Sequence, residues 1–238
     1  TKKADIVFVN SEALRLFCQR YRDRKGLYKI PSGFVLNSKL QNIKHSIQVP
    51  QLHLAPKPWI GFIGSTLARI DTDLLYDVAT RNKTLTFVVV GPLYGLNAFS
   101  NQSLLSINRF YTKWRKLMSL ANVIHVPDID NQYILSVIEQ FDICIIPYNI
   151  KEKAAKWANT IKAYEYLLMG KPVVSTPLEP LKDLSQYIMF AETSEQFSRK
   201  IRFLLSKPLS IGEQNRRRYV ALQHDVIEKA KAVLHYMS

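Results

Sequence analysis

Short apolar runs alternate along this chain with segments of helical period. Ile6-Val7-Phe8-Val9 is an apolar run of the kind buried in parallel sheets. Asn10-Ser11-Glu12 then reads as the cap of a helix reaching about Arg22, and Tyr28-Lys29-Ile30 as a second short strand stopped by Pro31-Ser32-Gly33. From about residue 37 to 58 the periodicity is lost, polar residues dominate, and Pro50, Pro56 and Pro58 interrupt regular structure, which predicts a linker. The alternation then becomes regular. Strands are predicted at 59–63, 85–90, 123–126, 143–146, 172–175 and 188–190. Helices are predicted at 72–81, 131–140, 160–169 and 194–205, with a weaker one near 111–120. The tail, about 213–237, reads as one long basic helix or two broken ones.

Strands alternating with helices of about ten residues describe βαβ units, hence an α/β fold with a doubly wound parallel sheet. The opening strand-helix-strand is too small to stand alone. It either adds to the main sheet or ends a larger N-terminal domain.

Composition narrows the function classes. Hydrophobic residues make up 47% of 238, enough for a substantial core. The net charge of +14 attracts phosphorylated ligands, anionic lipid or nucleic acid without choosing among them. No recognition helix or aromatic-basic motif supports nucleic acid. Cys18 and Cys144 lie in apolar runs without metal or redox spacing, so both read as buried reduced thiols of a cytoplasmic protein. Apolar stretches of about six to eight residues fall far short of a membrane span, and no signal peptide is visible.

In open parallel sheets, ligands bind beyond the carboxyl ends of the strands. After the first main strand, Gly64-Ser65 forms a loop that is either a tight turn or a phosphate cradle, and it lacks the spaced glycines of dinucleotide sites. Arg69 in the same loop either reaches a phosphate or is a plain surface arginine. Later loops carry Gly91-Pro92, Pro127-Asp128 and Pro147-Tyr148-Asn149, the last followed by Lys151, Lys153 and Lys156. That basic stretch closes over an anion or is a solvated loop.

The richest segment is 159–176. Asn159 is a good N-cap, so the amides of Thr160 and Ile161 would stand at the positive end of a helix dipole. Lys162 and Glu165, three apart, share a helix face. They could meet a diphosphate and ribose hydroxyls respectively, or form a surface salt bridge with each other. Gly170 ends the helix, and Lys171-Pro172 leads into the next strand.

This run, with Lys162-Ala163-Tyr164-Glu165-Tyr166-Leu167 followed by Gly170-Lys171-Pro172-Val173-Val174, resembles the donor-site motif of GT-B fold glycosyltransferases of the group 1 type. Residues 4–14 resemble the last part of that family's N-terminal domain, 30–33 its Pro-Asn-Gly turn, and 122–148 its base-binding loop and next strand. The resemblance implies the C-terminal half of a GT-B fold. Residues 1–36 would end a mostly absent acceptor domain, and 37–58 would link it to a Rossmann-like nucleotide-sugar-binding domain at 59–206. Helices at 207–238 would pack back toward the N-terminal part.

The resemblance also implies a metal-independent transfer of sugar from a nucleoside-diphosphate sugar to a glycan or lipid-linked acceptor, with no further cofactor, in bacterial cell-surface polysaccharide synthesis. Carried over by position, Lys162 and the Thr160 and Ile161 amides would hold the diphosphate, aided by Arg69. Glu165 would hold the ribose, Gly64 and Ser65 would border the phosphates, and Pro127 and Asp128 would lie near the base. Many retaining members carry two glutamates with seven residues between them. Here the first falls on Trp157, so one sugar-binding carboxylate is missing. The alternative is a non-catalytic nucleotide-binding subunit paired with a separate acceptor-binding subunit. Such enzymes often work at the inner membrane face, where Arg15, Arg20, Arg22, Arg24 and Lys25, or Arg216, Arg217 and Arg218, would meet anionic lipid or simply solubilise the chain.

Overall fold

A computed structural model describes residues 4–23, 25–31, 33, 47–64, 69–93, 104–127, 129–151 and 160–237. Two sheets are present among them. A small one pairs β1 (Val7–Val9) in parallel with β2 (Leu27–Lys29), joined through α1 (Glu12–Gln19). The main sheet holds β3 (Trp59–Ile63), β4 (Thr86–Val90), β5 (Val123–Val126), β6 (Ile143–Ile146), β7 (Val173–Ser175) and β8 (Ile188–Phe190). Its order is β5-β4-β3-β6-β7-β8 and every pairing is parallel. The chain starts in the middle, builds outward to one edge and returns to build the other, which is the doubly wound arrangement the alternation predicts. The opening segment does not extend this sheet, because β1 and β2 pair with each other among the described residues.

The covering helices are α2 (Thr72–Arg81), α3 (Leu104–Met118), α4 (Ile134–Gln140), α5 (Ile161–Leu168), α6 (Ser194–Ser206), α7 (Ile211–Leu222) and α8 (Val226–Met237). Their starts follow local chemistry. Asp71 caps α2 by accepting from Leu74 N, Thr193 caps α6, and Ser210 with Glu213 forms a reciprocal capping box on α7. The basic tail is two helices. Helix α4 is shorter than the periodicity suggests, since Asn131–Tyr133 is a 3-10 turn. Helix α3 starts earlier, at Leu104.

Every residue of β3, β4 and β6 is buried, as expected of parallel strands covered on both faces. Gly61 sits against Phe141; a β-carbon there would lie 2.0 Å from the nearest ring carbon. The half of the linker stretch that is described lies against this core. Val49 and Leu52 are buried in it, and Thr86 Oγ1 donates to Pro56 O. Cys144 is buried, and burial pushes its thiol far up, while Cys18 is only half-buried, against the expectation of two buried thiols.

Strands β3 and β4 pair through five registered positions, but β3 and β6 through two, Ile60 with Ile143 and Gly61 with Cys144. Toward their carboxyl ends β3 and β6 therefore part. The Ile63 amide on the parting side is not left unpaired: it donates to the Tyr166 hydroxyl of α5 at 2.9 Å. Tyr166 is fully buried, and burial holds its phenol well above the ordinary value. Tyr166→Phe keeps the ring and strands that amide, so we expect a loss of about 1–3 kcal/mol of unfolding free energy in urea denaturation. An unchanged midpoint and slope would show that the amide finds another partner.

Candidate functional site

The parting of β3 and β6 coincides with the point where strand order reverses, which is where open α/β sheets bind ligands. Four pieces of chain meet there: Ile63-Gly64 after β3, the segment around Arg69 and Ile70, Pro147-Tyr148-Asn149 after β6, and the start of α5. The second and third are laced together. Ile70 bridges Tyr148 in antiparallel fashion, Asp71 N donates to Pro147 O at 2.8 Å, and Asn149 N to Arg69 O at 3.0 Å.

Helix α5 begins at Ile161. Thr160, with φ −95° and ψ 115°, is its N-cap, one residue later than the Asn159 cap expected from sequence. The first-turn amides on offer are thus those of Ile161 and Lys162. Thr160 gives its backbone carbonyl to Ala163 N, but its side chain makes no capping bond. The residue is 4% exposed, and its hydroxyl oxygen is sealed from water with no partner among the described residues. A buried hydroxyl left this way at the positive end of a helix is suited to an incoming acceptor such as a phosphate oxygen. Ile161 is exposed beside it.

Lys162 reaches out of the first turn. Its ammonium donates to the Tyr148 hydroxyl at 2.8 Å and lies 5.5 Å from the ring centres of both Phe62 and Tyr148. Gly64 completes this box: a β-carbon there would lie 2.7 Å from Phe62 Cζ and 3.3 Å from Lys162 Cε. Between the diphosphate reading and the surface salt bridge, the structure favours neither a surface Glu165 nor an ammonium committed to it. Glu165 is buried, 7% exposed, one turn deeper in α5, and the ammonium goes to Tyr148. Helix α5 ends in a Schellman motif. Gly170 adopts φ 69°, its N–H bonds Leu167 O, and Lys171 N–H bonds Tyr166 O.

The other expected residues are more dispersed. Arg69 is exposed on the rim, its backbone held by Asn149. Pro127 is exposed at the end of β5, two strands from β3, which is roughly 10 Å at the usual interstrand spacing. Ser65, Asp128, Asn159 and Trp157, together with Lys153 and Lys156, lie outside the described residues. Sequence reasoning placed Tyr148 in a loop beyond a strand end but gave neither it nor Phe62 a role. Tyr148 was detectable as the aromatic residue immediately beyond the strand at the reversal point. Among the described residues, no group of three or more His, Cys, Asp or Glu is arranged to hold a metal ion.

In the two basic clusters read as lipid-facing, some cations are engaged by the protein itself, Arg20, Lys25 and Arg216 are exposed, and Arg24 lies outside the described residues. Arg15 is bound to Glu12, and Arg22 caps the carbonyls of Ala4, Asp5 and Lys25. Arg216, Arg217 and Arg218 are successive on a helix and so point about 100° apart. Arg217 is half-buried with its guanidinium on Glu213 O and Tyr187 O. No described helix is long and apolar enough to cross a membrane.

A family model described as glycosyl transferase-like matches residues 69–235, well over half of the chain. The chain belongs to the glycosyl transferase-like family. TuaH of Bacillus subtilis (strain 168), named as a teichuronic acid biosynthesis glycosyltransferase, is 29% identical over 119 residues, which are 50% of this chain and 26% of TuaH. Among solved structures, sucrose-phosphate synthase from Thermosynechococcus elongatus matches with a TM-score of 0.73 at 16% identity, over 98% of this chain and 58% of that one. The UDP-forming α,α-trehalose-phosphate synthase from Burkholderia vietnamiensis matches with 0.74 at 11% identity, over 98% and 59%. A TarM variant from S. aureus, in complex with fondaparinux, α-GlcNAc-glycerol and UDP, matches with 0.61 at 13%, over 98% and 44%. These likenesses establish the GT-B, Rossmann-like fold. The chain spans about a quarter of TuaH and 44–59% of these structures.

Behind α5 stands a brace. Tyr164 stacks on His224, ring centres 4.1 Å apart, where α7 gives way to α8. A cleft of about 320 Å³ between Ser11, Glu12 and Lys29 on one side and Tyr164, Glu179 and Asp183 on the other also touches His224. Burial, reinforced by Lys229 and opposed by Asp183, holds the imidazole down at about 4 from 6.5. The unfolded chain therefore takes up this proton first as pH falls. The stabilisation from a neutral His224 is full above about pH 6.5 and is lost on going down toward pH 4. His224→Phe retains the stack without the titration. Its melting temperature should fall less between pH 6.5 and 4.5 than the wild-type value does, by a few degrees; parallel curves would place the pH sensitivity elsewhere.

Proposed function

We propose that this glycosyl transferase-like chain is the donor-binding part of a glycosyltransferase. The enzyme moves a sugar from a nucleoside-diphosphate sugar to a glycan or lipid-linked acceptor in bacterial cell-surface polysaccharide synthesis. One observation carries the reading: a helix N-terminus with a sealed, unpartnered Thr160 hydroxyl and the Lys162 ammonium stand together beside Gly64 at the strand-order reversal. Support also comes from TuaH, whose name refers to teichuronic acid biosynthesis, and from two structural neighbours, one UDP-forming and one in complex with UDP.

In this reading the diphosphate lies across the first turn of α5, with Lys162 and the Ile161 and Lys162 amides as donors and Arg69 on the rim. The ribose lies toward Glu165, and the base toward Gly64 and the end of β5 at Pro127. The bond between the sugar's anomeric carbon and the diphosphate oxygen breaks, and a bond from that carbon to an acceptor oxygen forms as the acceptor gives up its proton. The charge that gathers on the departing diphosphate is met by donors already in place, with no metal needed. The acceptor's binding surface and any catalytic base would lie outside the donor-binding part. Contact with anionic lipid would rest on exposed cations of the two clusters such as Arg20, Lys25 and Arg216.

A thermal-shift screen against UDP, GDP, ADP and CMP tests this, because a ligand bound by the folded state alone raises the melting temperature. One diphosphate should stand out, and its shift should persist in EDTA. Lys162→Ala should weaken that nucleotide by about tenfold or more in titration calorimetry, equivalent to about 1.4 kcal/mol. Wild-type affinity in a folded Lys162→Ala chain would overturn the assignment.

A further inference from the structure

We infer that Tyr148 is a positioning residue for the anion site: its hydroxyl holds the Lys162 ammonium in place before a ligand arrives. The inference rests on the donor-site reading above and extends it to a residue with no role so far.

Tyr148 is itself fixed more firmly than its place in a loop suggests. Its backbone bridges Ile70, and the residues on either side of it are bonded to Asp71 and Arg69. Its ring is 2% exposed and meets Phe62 edge-on, centroids 6.1 Å apart. A buried phenol needs a partner for its hydroxyl, and that partner is Lys162 Nζ at 2.8 Å. Lysine is a point charge on a flexible four-carbon stem, so a free lysine would have to give up much rotamer freedom on binding an anion. Here that freedom is already restricted by one hydrogen bond, two ring faces and the close approach of Gly64. One of the ammonium's three donors is engaged by Tyr148, which leaves two for a ligand. Restricting the group in advance favours binding by lowering the ordering cost.

Tyr148→Phe removes the hydroxyl and keeps the ring, the packing on Phe62 and the ring face toward the ammonium. The test is a double-mutant cycle on the full chain, read by calorimetry with UDP and with inorganic pyrophosphate, which needs no base contact. Tyr148→Phe should bind both about five- to tenfold more weakly while its melting temperature stays near that of the wild type. In the Lys162→Ala background the same change should cost nothing further, because the group it positions is gone. An equal loss in both backgrounds would mark a purely structural residue and overturn the inference. So would wild-type affinity in Tyr148→Phe alongside a weakened Lys162→Ala, with the donor-site reading still standing. Wild-type affinity in Lys162→Ala would instead remove both.

Discussion

The parting of β3 from β6 is the constraint on which the rest of this molecule depends. A parallel sheet that kept all its central pairing would have no room at its middle for a ligand. Here the two central strands pair for two positions and then separate. Separation exposes a strand amide in the interior, where an unpaired N–H is costly. The Tyr166 hydroxyl meets that amide, and because Tyr166 belongs to α5, the same bond sets where the helix stands relative to the opening. The Schellman turn at Gly170 then returns the chain to β7 one strand over. The opening and the element that serves it are thus placed by one interaction.

What α5 brings to the opening is positive potential that is directed rather than merely abundant. A net charge of +14 raises the local concentration of anions over the whole surface, but salt screens it within about 8–10 Å. A helix N-terminus and a lysine held between two rings act at contact distance, where screening is weak and orientation counts. Several of the chain's cations are engaged otherwise, Arg15 on Glu12, Arg22 on carbonyls and Arg217 on the backbone. The overall charge therefore says little about where an anion would sit, and the sheet topology says a good deal.

How far the sequence carried this picture follows from which forces are local. The six main strands and the helix starts at Thr72 and Ser194 are readable because buried parallel strands are short apolar runs and caps are single residues. Gly170 is readable because a turn with positive φ there calls for glycine. The burial of Glu165 and the partner of Lys162 were not readable. The first depends on the elements packed around α5 and the second on Tyr148, which folding brings against the helix. Spacing on a helix says which residues share a face, and whether that face meets solvent or a neighbouring element is decided by tertiary packing. The cap moved from Asn159 to Thr160 for a related reason: both residues are acceptable there by type, and the backbone conformation chooses.

Tyr28 of β2 stacks on Tyr236 of α8 with ring centres 3.9 Å apart, and Phe8 of β1 packs on the same ring. At its other end α8 leaves the His224 bend, where the imidazole lies flat on Tyr164 of α5. Lys29 reaches Asp183 across the cleft beside that bend. The N-terminal strands are thus linked toward α5 by aromatic contacts at both ends of α8, with an exposed ion pair to Asp183 beside them. An exposed ion pair contributes at most about 1 kcal/mol, so the aromatic stacks carry most of this connection. Aromatic contacts at both ends of α8 thus link β1 and β2 to the His224–Tyr164 stack behind the first turn of α5.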